Sequence, residues 1–133
     1  MQHNETDSPK LWVKYAKADL ALASIPLPPG VMYSQLCFHA QQAAEKALKA
    51  VLIYLEIDFP NTHSIQKLIE LLPDGLQAQE VVSQAVILTP YAVQARYPGD
   101  VEEVSESEYN EAISIAADVV RLAENIARGT EKP

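Results

Sequence analysis

An uninterrupted run without glycine or proline, residues 31–59, constrains this chain more than any other feature. The run stops at Phe59-Pro60, because the residue before a proline avoids the α conformation. It therefore predicts a long second helix from about Val31 to Ile57. Apolar residues cover so much of its circumference that we expect it to lie at the centre of a bundle or at a subunit interface.

Helix-start signals mark both ends of the chain. Ser8-Pro9 offers an N-cap followed by proline at the first helical position, and predicts a first helix up to about Ser24. Near the C-terminus, Ser105 and Glu108 form a capping-box pattern at the start of an apolar repeat. Gly129 suits the position just after that last helix.

The middle of the chain predicts shorter helices. A third helix is expected to start at Asn61 or Thr62, and Pro73-Asp74-Gly75 reads as a turn. A fourth helical stretch follows, with a kink or restart at Thr89-Pro90 and an end at Pro98-Gly99.

The predicted fold class is all-α. Roughly three quarters of the chain reads as helix, well above the usual third. Short connections favour antiparallel neighbours, so we expect an up-and-down antiparallel bundle of four to five helices. Residues 1–133 are predicted to form one domain, with residues 1–7 as a disordered N-terminal tail.

Charge and composition limit the function classes. Asp and Glu number 18 against 10 Lys and Arg, which gives a net charge of −8. Such a chain repels a polyanion, so general DNA binding is not expected. The single cysteine, Cys37, excludes an intramolecular disulfide. The longest apolar stretch, residues 47–57, is too short to span a membrane, and we expect a cytoplasmic protein without a membrane partner.

A polar strip runs along the second helix at spacings of three and four. Its members are Gln35, His39, Gln42, Lys46 and Lys49. One interpretation is a solvated face with an i, i+4 ion pair between Glu45 and Lys49. The other is a groove in which His39, Gln42, Lys46 and Lys49 receive a phosphate or a base.

Four segments in order carry a family resemblance. They are Trp12-Val13-Lys14-Tyr15-Ala16-Lys17-Ala18-Asp19-Leu20, Gln42-Ala43-Ala44-Glu45-Lys46-Ala47-Leu48-Lys49-Ala50, Thr62-His63-Ser64-Ile65 and Ala95-Arg96-Tyr97-Pro98. With them the chain resembles the HEPN domain (higher eukaryotes and prokaryotes nucleotide-binding) over essentially its whole length. The resemblance implies an all-α up-and-down bundle, usually dimeric. It also implies nucleotide binding or a toxin–antitoxin role, with a minimal nucleotidyltransferase encoded nearby.

Many HEPN proteins are metal-independent ribonucleases in which four to six residues separate an arginine from a histidine that follows it. The cation holds the phosphate, and the imidazole orients or deprotonates the 2′-hydroxyl. Here every histidine precedes every arginine: the histidines are His3, His39 and His63, and the arginines are Arg96, Arg121 and Arg128. We therefore expect the usual ribonuclease activity to be absent.

The predicted function is a non-catalytic module that binds a nucleotide or a partner. The partner is expected to be a minimal nucleotidyltransferase in a two-gene system of the toxin–antitoxin kind. Candidate nucleotide- or phosphate-binding residues are His39, Gln42, Lys46, Lys49, His63, Arg96 and Tyr97. No catalytic residue, metal site or cofactor is predicted. Two alternatives stay open: a ribonuclease toxin with a non-standard site at Arg96, His63 and Lys46, and a purely structural helical dimer.

A homodimer is predicted from two apolar surfaces. The second helix carries a stripe of small residues at Leu36, Ala40, Ala43, Ala47 and Ala50, which lets another helix approach closely. The last helix has an apolar face of its own. The sequence leaves open which helices supply the interface.

Overall fold

The computed structural model describes residues 8–92 and 103–129. Three long helices dominate: α1 is Pro9–Ala23, α2 is Tyr33–Tyr54 and α6 is Glu106–Ala127. Between α2 and α6 lie α3 (Ile65–Glu70), α4 (Asp74–Gln77), α5 (Glu80–Ser83) and a 3₁₀ helix, Gln84–Ala92. Neither described range contains a strand, and the all-α prediction is confirmed. Within these ranges no helix combines the length and apolarity that a bilayer span requires.

Helix α2 is the centre of the bundle, as its wide apolar surface predicted. It packs against α1 on one side and α6 on another, and the 3₁₀ helix also packs on α2 and α6. The predicted stripe of small residues, from Leu36 to Ala50, is buried inside the protomer. The argument that this stripe forms a dimer interface is therefore wrong, because the helices of the same chain already cover it.

Contacts between helix ends fix the helix directions. Tyr109 at the start of α6 donates a 2.6 Å hydrogen bond to the carbonyl of Ala23 at the end of α1. The rings of Tyr33 and Tyr109 lie 4.9 Å apart, so α2 and α6 begin at the same end of the bundle. Helix α1 runs antiparallel to both, as expected in an up-and-down bundle.

The caps of α1 and α6 are those the sequence predicts. Ser8 Oγ accepts from the amide of Leu11, and Ser105 Oγ accepts from the amide of Glu108. The amide of Ser105 in turn donates to Glu108 at 2.9 Å, and this bond holds the pKa of that carboxyl below its ordinary value. Gly129 follows α6 at φ +76°, a backbone conformation that glycine adopts without strain.

Helix α2 is shorter than predicted, and its end is made by backbone geometry. Glu56 adopts a positive φ of 57°, and the amide of Ile57 bonds to the carbonyl of Leu52 at 2.9 Å. This is a Schellman motif, which usually has glycine at the left-handed position. The predicted end at Ile57 is wrong because the chain leaves the helix before it reaches Phe59-Pro60.

The middle segment also departs from prediction. Helix α3 begins only at Ile65, because Ser64 caps it by accepting from the amide of Lys67. The expected turn at Pro73 opens the one-turn helix α4. Pro90 lies inside the 3₁₀ helix and starts no new α-helix. The predicted end at 98–99 and the predicted tail at 1–7 lie outside the described residues.

Candidate functional site

The polar strip of α2 divides into two clusters, each built around one carboxylate. The Asp19 cluster consists of Asp19, His39 and Lys46. The Glu45 cluster consists of Glu45, Lys49, His63 and Gln41. Neither Asp19 nor Gln41 was among the predicted site residues.

The Asp19 cluster ties α1 to α2. Asp19 Oδ1 lies 3.3 Å from His39 Nδ1, and Asp19 Oδ2 lies 2.5 Å from Lys46 Nζ. The side chain of Asp19 is only 15% exposed, so the two helices shield it on both sides. His39 and Lys46 thus face a carboxylate of the same chain.

The position of Asp19 follows from the register of α1. Val13, Ala16 and Ala23 are buried on its core face. Asp19 stands three residues after Ala16 and four before Ala23, a spacing that turns it toward the bundle. A carboxylate at this register on an otherwise small and apolar face is the signal that could have identified it.

The Glu45 cluster is the buried one. Glu45 Oε2 lies 3.1 Å from Lys49 Nζ, and the predicted i, i+4 ion pair is confirmed. The side chains of Glu45 and Lys49 are 3% and 7% exposed. The prediction that Lys49 lies on a solvated face or in an open groove is therefore wrong. Its position in the bundle places it under Trp12 and Phe59.

Aromatic rings surround the buried ammonium group. Lys49 Nζ lies 5.7 Å from the ring centroid of Trp12 and 5.9 Å from that of Phe59. Burial of a charge is costly unless it is paired and hydrogen-bonded. Here one carboxylate and two aromatic faces offset that cost.

His63 is the exposed end of the Glu45 cluster. Its Nδ1 lies 3.1 Å from Glu45 Oε2 and 3.3 Å from Oε1, while its side chain is 75% exposed. An ionised carboxylate only accepts hydrogen bonds, so Nδ1 carries the proton in this contact. In the neutral ring, Nε2 is then the accepting nitrogen. Glu45 therefore fixes both the tautomer and the orientation of a surface imidazole.

Gln41 completes the Glu45 cluster. Its Nε2 donates to Glu45 Oε1 and to the carbonyl oxygen of His63, both at 3.4 Å. Its Oε1 is buried and has no hydrogen-bond partner in the part of the chain that the structure describes. The amide thus links the carboxylate to the backbone segment that carries His63.

Of the remaining predicted site residues, the structure describes Gln42. Gln42 is half-buried on the helix face between the two clusters. Arg96 and Tyr97 lie outside the described residues. The phosphate-binding role of the whole predicted set stays a prediction.

The fold and the site together define a class: an all-α bundle whose long central helix carries two lysines paired with carboxylates, with an oriented histidine in the segment that follows this helix. The sequence profile of the HEPN domain matches residues 9–126. The chain belongs to the HEPN family, and the predicted resemblance is confirmed.

Two solved structures are similar to this one. The protein TT1696 from Thermus thermophilus superposes with a TM-score of 0.74 at 29% identity, over 90% of this chain and 98% of that one. ST0689, described as an archaeal HEPN homologue, gives a TM-score of 0.69 at 26% identity, with the same coverages. No functionally curated protein matches the chain in sequence.

Proposed function

We propose that this HEPN protein is a non-catalytic recognition module that binds a nucleotide. Family membership over residues 9–126 supports nucleotide recognition, because nucleotide binding is one of the roles that the resemblance implies. The sequence order supports the absence of catalysis. All three histidines precede all three arginines, so the ribonuclease spacing has no place in this chain.

One observation carries the proposal. Of the four residues on α2 that were predicted to contact phosphate, three already contact a carboxylate of this chain. His39 and Lys46 face Asp19, and Lys49 is buried against Glu45. Of the two histidines that the structure describes, His63 is the one that combines a largely exposed ring with a carboxylate that orients it. With Nδ1 on Glu45, the neutral ring accepts through Nε2 from an N–H group of a base, and the doubly protonated ring donates through Nε2 to a phosphate oxygen. The described contacts provide a recognition element and no second group for acid–base chemistry on RNA.

Calorimetry with AMP, ATP and GTP tests nucleotide binding. We expect a measurable affinity for at least one of the three. His63→Gln should weaken it by about tenfold, because one hydrogen bond from the ligand to the oriented ring is lost. His39→Gln is the matched control and should leave the affinity unchanged. If no nucleotide binds, or if both variants behave alike, the proposal fails.

We further propose that the protein works with a minimal nucleotidyltransferase in a two-gene system of the toxin–antitoxin kind. This step rests on what the HEPN resemblance implies. Co-expression with the product of the neighbouring reading frame, followed by affinity purification of this chain, is the test. A stoichiometric complex is expected. Recovery of the HEPN chain alone would remove this part of the proposal.

We propose that the chain forms a homodimer through the outer side of α1, and exposed apolar side chains there support this. An outer stripe at spacings of three and four comprises Tyr15, Ala18 and Leu22, and the exposed Ile25 follows just after the helix. Tyr15 is 52% exposed and Leu22 44%, although the opposite face of α1 already supplies the core. A helix that is apolar on both faces is typical of burial on both sides. We therefore propose that α1 packs against a second copy.

Sedimentation tests the dimer with two substitutions one residue apart. Leu22→Glu places a charge in the outer stripe and should give monomers. Ala21→Glu adds the same charge at an exposed position beside the stripe and should stay dimeric. A monomeric wild-type protein, or a dimeric Leu22→Glu variant, would refute the assignment of this surface.

A ribonuclease with a non-standard site is the second candidate, and the Glu45–His63 contact favours it. A carboxylate that orients a histidine is a common feature of general bases. Incubation of purified dimer with RNA, with His63→Ala and Arg96→Ala as variants, decides between the two. Cleavage that both substitutions abolish would replace the recognition proposal. No cleavage would remove the ribonuclease.

A further inference from the structure

A basic groove lies between α1 and α6, on a different flank of α1 from the Asp19 cluster. Its volume is about 440 Å³, within the range of small-molecule sites. Four cationic side chains and one carboxylate line it: Lys10, Lys14, Lys17, Arg128 and Glu124. The local balance is positive in a chain whose net charge is −8.

Helical register explains the row of lysines. Lys10, Lys14 and Lys17 stand at i, i+4 and i+7, so their side chains emerge on one face of α1. Lys14 and Asp19 are five residues apart and point about 140° away from each other around the helix axis. The groove is therefore separate from the cluster that ties α1 to α2. Arg128, just after α6, closes the groove because α6 runs antiparallel to α1.

Glu124 holds two of the cations in place. It accepts from Lys17 Nζ at 2.7 Å and from an Arg128 guanidinium nitrogen at 3.1 Å. The hydrogen bond from Lys17 holds the pKa of Glu124 below its ordinary value. The carboxylate stays charged near neutral pH and keeps the two cationic groups side by side. Both cationic residues remain exposed and free to contact a ligand.

We propose that this groove binds a polyphosphate chain, with Lys10, Lys14 and Arg128 as the main phosphate contacts. Lysine ammonium groups and a guanidinium group are the side chains that recognise phosphate oxygens. A short polyanion meets mainly the local positive charge, because the screening length is about 8 Å at physiological ionic strength. A long nucleic acid would also meet the acidic remainder of the surface. Val13, which is buried, and the half-buried Ala127 form the bottom of the groove between the cationic side chains.

Titration calorimetry with inorganic triphosphate tests the site directly. The variant Lys10→Gln/Lys14→Gln should bind at least about tenfold more weakly than wild type, since two charge-assisted contacts are lost. The control Lys67→Gln/Arg121→Gln removes the same charge from exposed positions outside the groove. It should change the affinity less than about twofold, the effect of net charge alone. No binding of triphosphate, or equal losses in the two variants, would overturn the inference.

Two further titrations identify the source of the polyphosphate. ATP that binds more tightly than triphosphate, and loses that affinity in Lys10→Gln/Lys14→Gln, indicates a nucleoside polyphosphate in the groove, and equal affinities of ATP and triphosphate indicate an inorganic one. Either result supports the groove as a polyphosphate site. His63→Gln should leave triphosphate binding unchanged. A loss of triphosphate binding in that variant would place the site at His63 and contradict the groove, whereas AMP binding there tests the proposed function separately.

Discussion

Asp19 and Glu45 each hold one lysine and one histidine, and the two clusters differ chiefly in burial. The Asp19 cluster joins two helices near the surface, where water can take over from any lost partner. The Glu45 cluster lies almost wholly inside the bundle and reaches solvent only through His63. A carboxylate, a lysine and a histidine therefore have different roles in the two clusters. One cluster positions a helix, and the other couples a buried charge pair to an exposed ring.

The largest expected effect comes from removing the buried carboxylate. Glu45→Ala leaves the Lys49 ammonium group buried without its counter-ion, and should lower the free energy of unfolding by about 3–5 kcal/mol. Urea denaturation followed by circular dichroism measures the change. The double variant Glu45→Met/Lys49→Met removes both charges and should recover most of the loss. A loss under about 1 kcal/mol for Glu45→Ala would show that the pair is not buried in solution.

Asp19→Asn should have a smaller effect. The amide keeps the shape and loses the charge that attracts His39 and Lys46, so we expect a loss of about 1 kcal/mol by the same assay. Asp118→Asn breaks an exposed pair with Arg121 within α6 and is the control, with a change near zero. If Asp19→Asn destabilises as strongly as Glu45→Ala, the contrast between the clusters disappears.

Sequence patterns predicted the features that depend on contacts between residues close together in the chain. The caps at Ser8 and Ser105 act within one turn, so their residues identify the helix starts directly. The end of α2 could not be read in the same way. Glu56 adopts a conformation usual for glycine, and the bonds of the Schellman motif hold it there. The predicted end at Ile57 relied on Pro60, which lies beyond the point where the helix ends.

In the candidate site, too, the sequence predicted the contacts within one helix and missed the contacts between helices. The Glu45–Lys49 pair is local, and its spacing identified it. The partners of His39 and Lys46 lie 20 and 27 residues away on α1, and periodicity within α2 does not tell which helix covers which strip. The burial of Lys49 likewise depends on Trp12 and Phe59, which reach it from outside α2.

High salt should weaken the ion pairs of the two clusters to different extents. Double-mutant cycles give the coupling energy of Asp19 with Lys46 and of Glu45 with Lys49. In about 1 M NaCl, where the screening length is about 3 Å, the coupling of the partly buried Asp19–Lys46 pair should fall measurably. The buried coupling should hardly change, because ions do not reach the pair. Equal salt sensitivity would contradict the difference in burial on which the comparison depends.

Substitution of either histidine should have the smallest effect on stability. The two variants should differ in nucleotide binding instead. His39→Gln and His63→Gln should each change the free energy of unfolding by less than about 0.5 kcal/mol, because each carboxylate keeps its lysine. Only His63→Gln should weaken nucleotide binding, since only that ring is both oriented and largely exposed. Urea denaturation and calorimetry on the same two proteins measure both quantities. A His63→Gln protein that unfolds as easily as Glu45→Ala would make His63 part of the core pair, and its exposure would then be no argument for recognition.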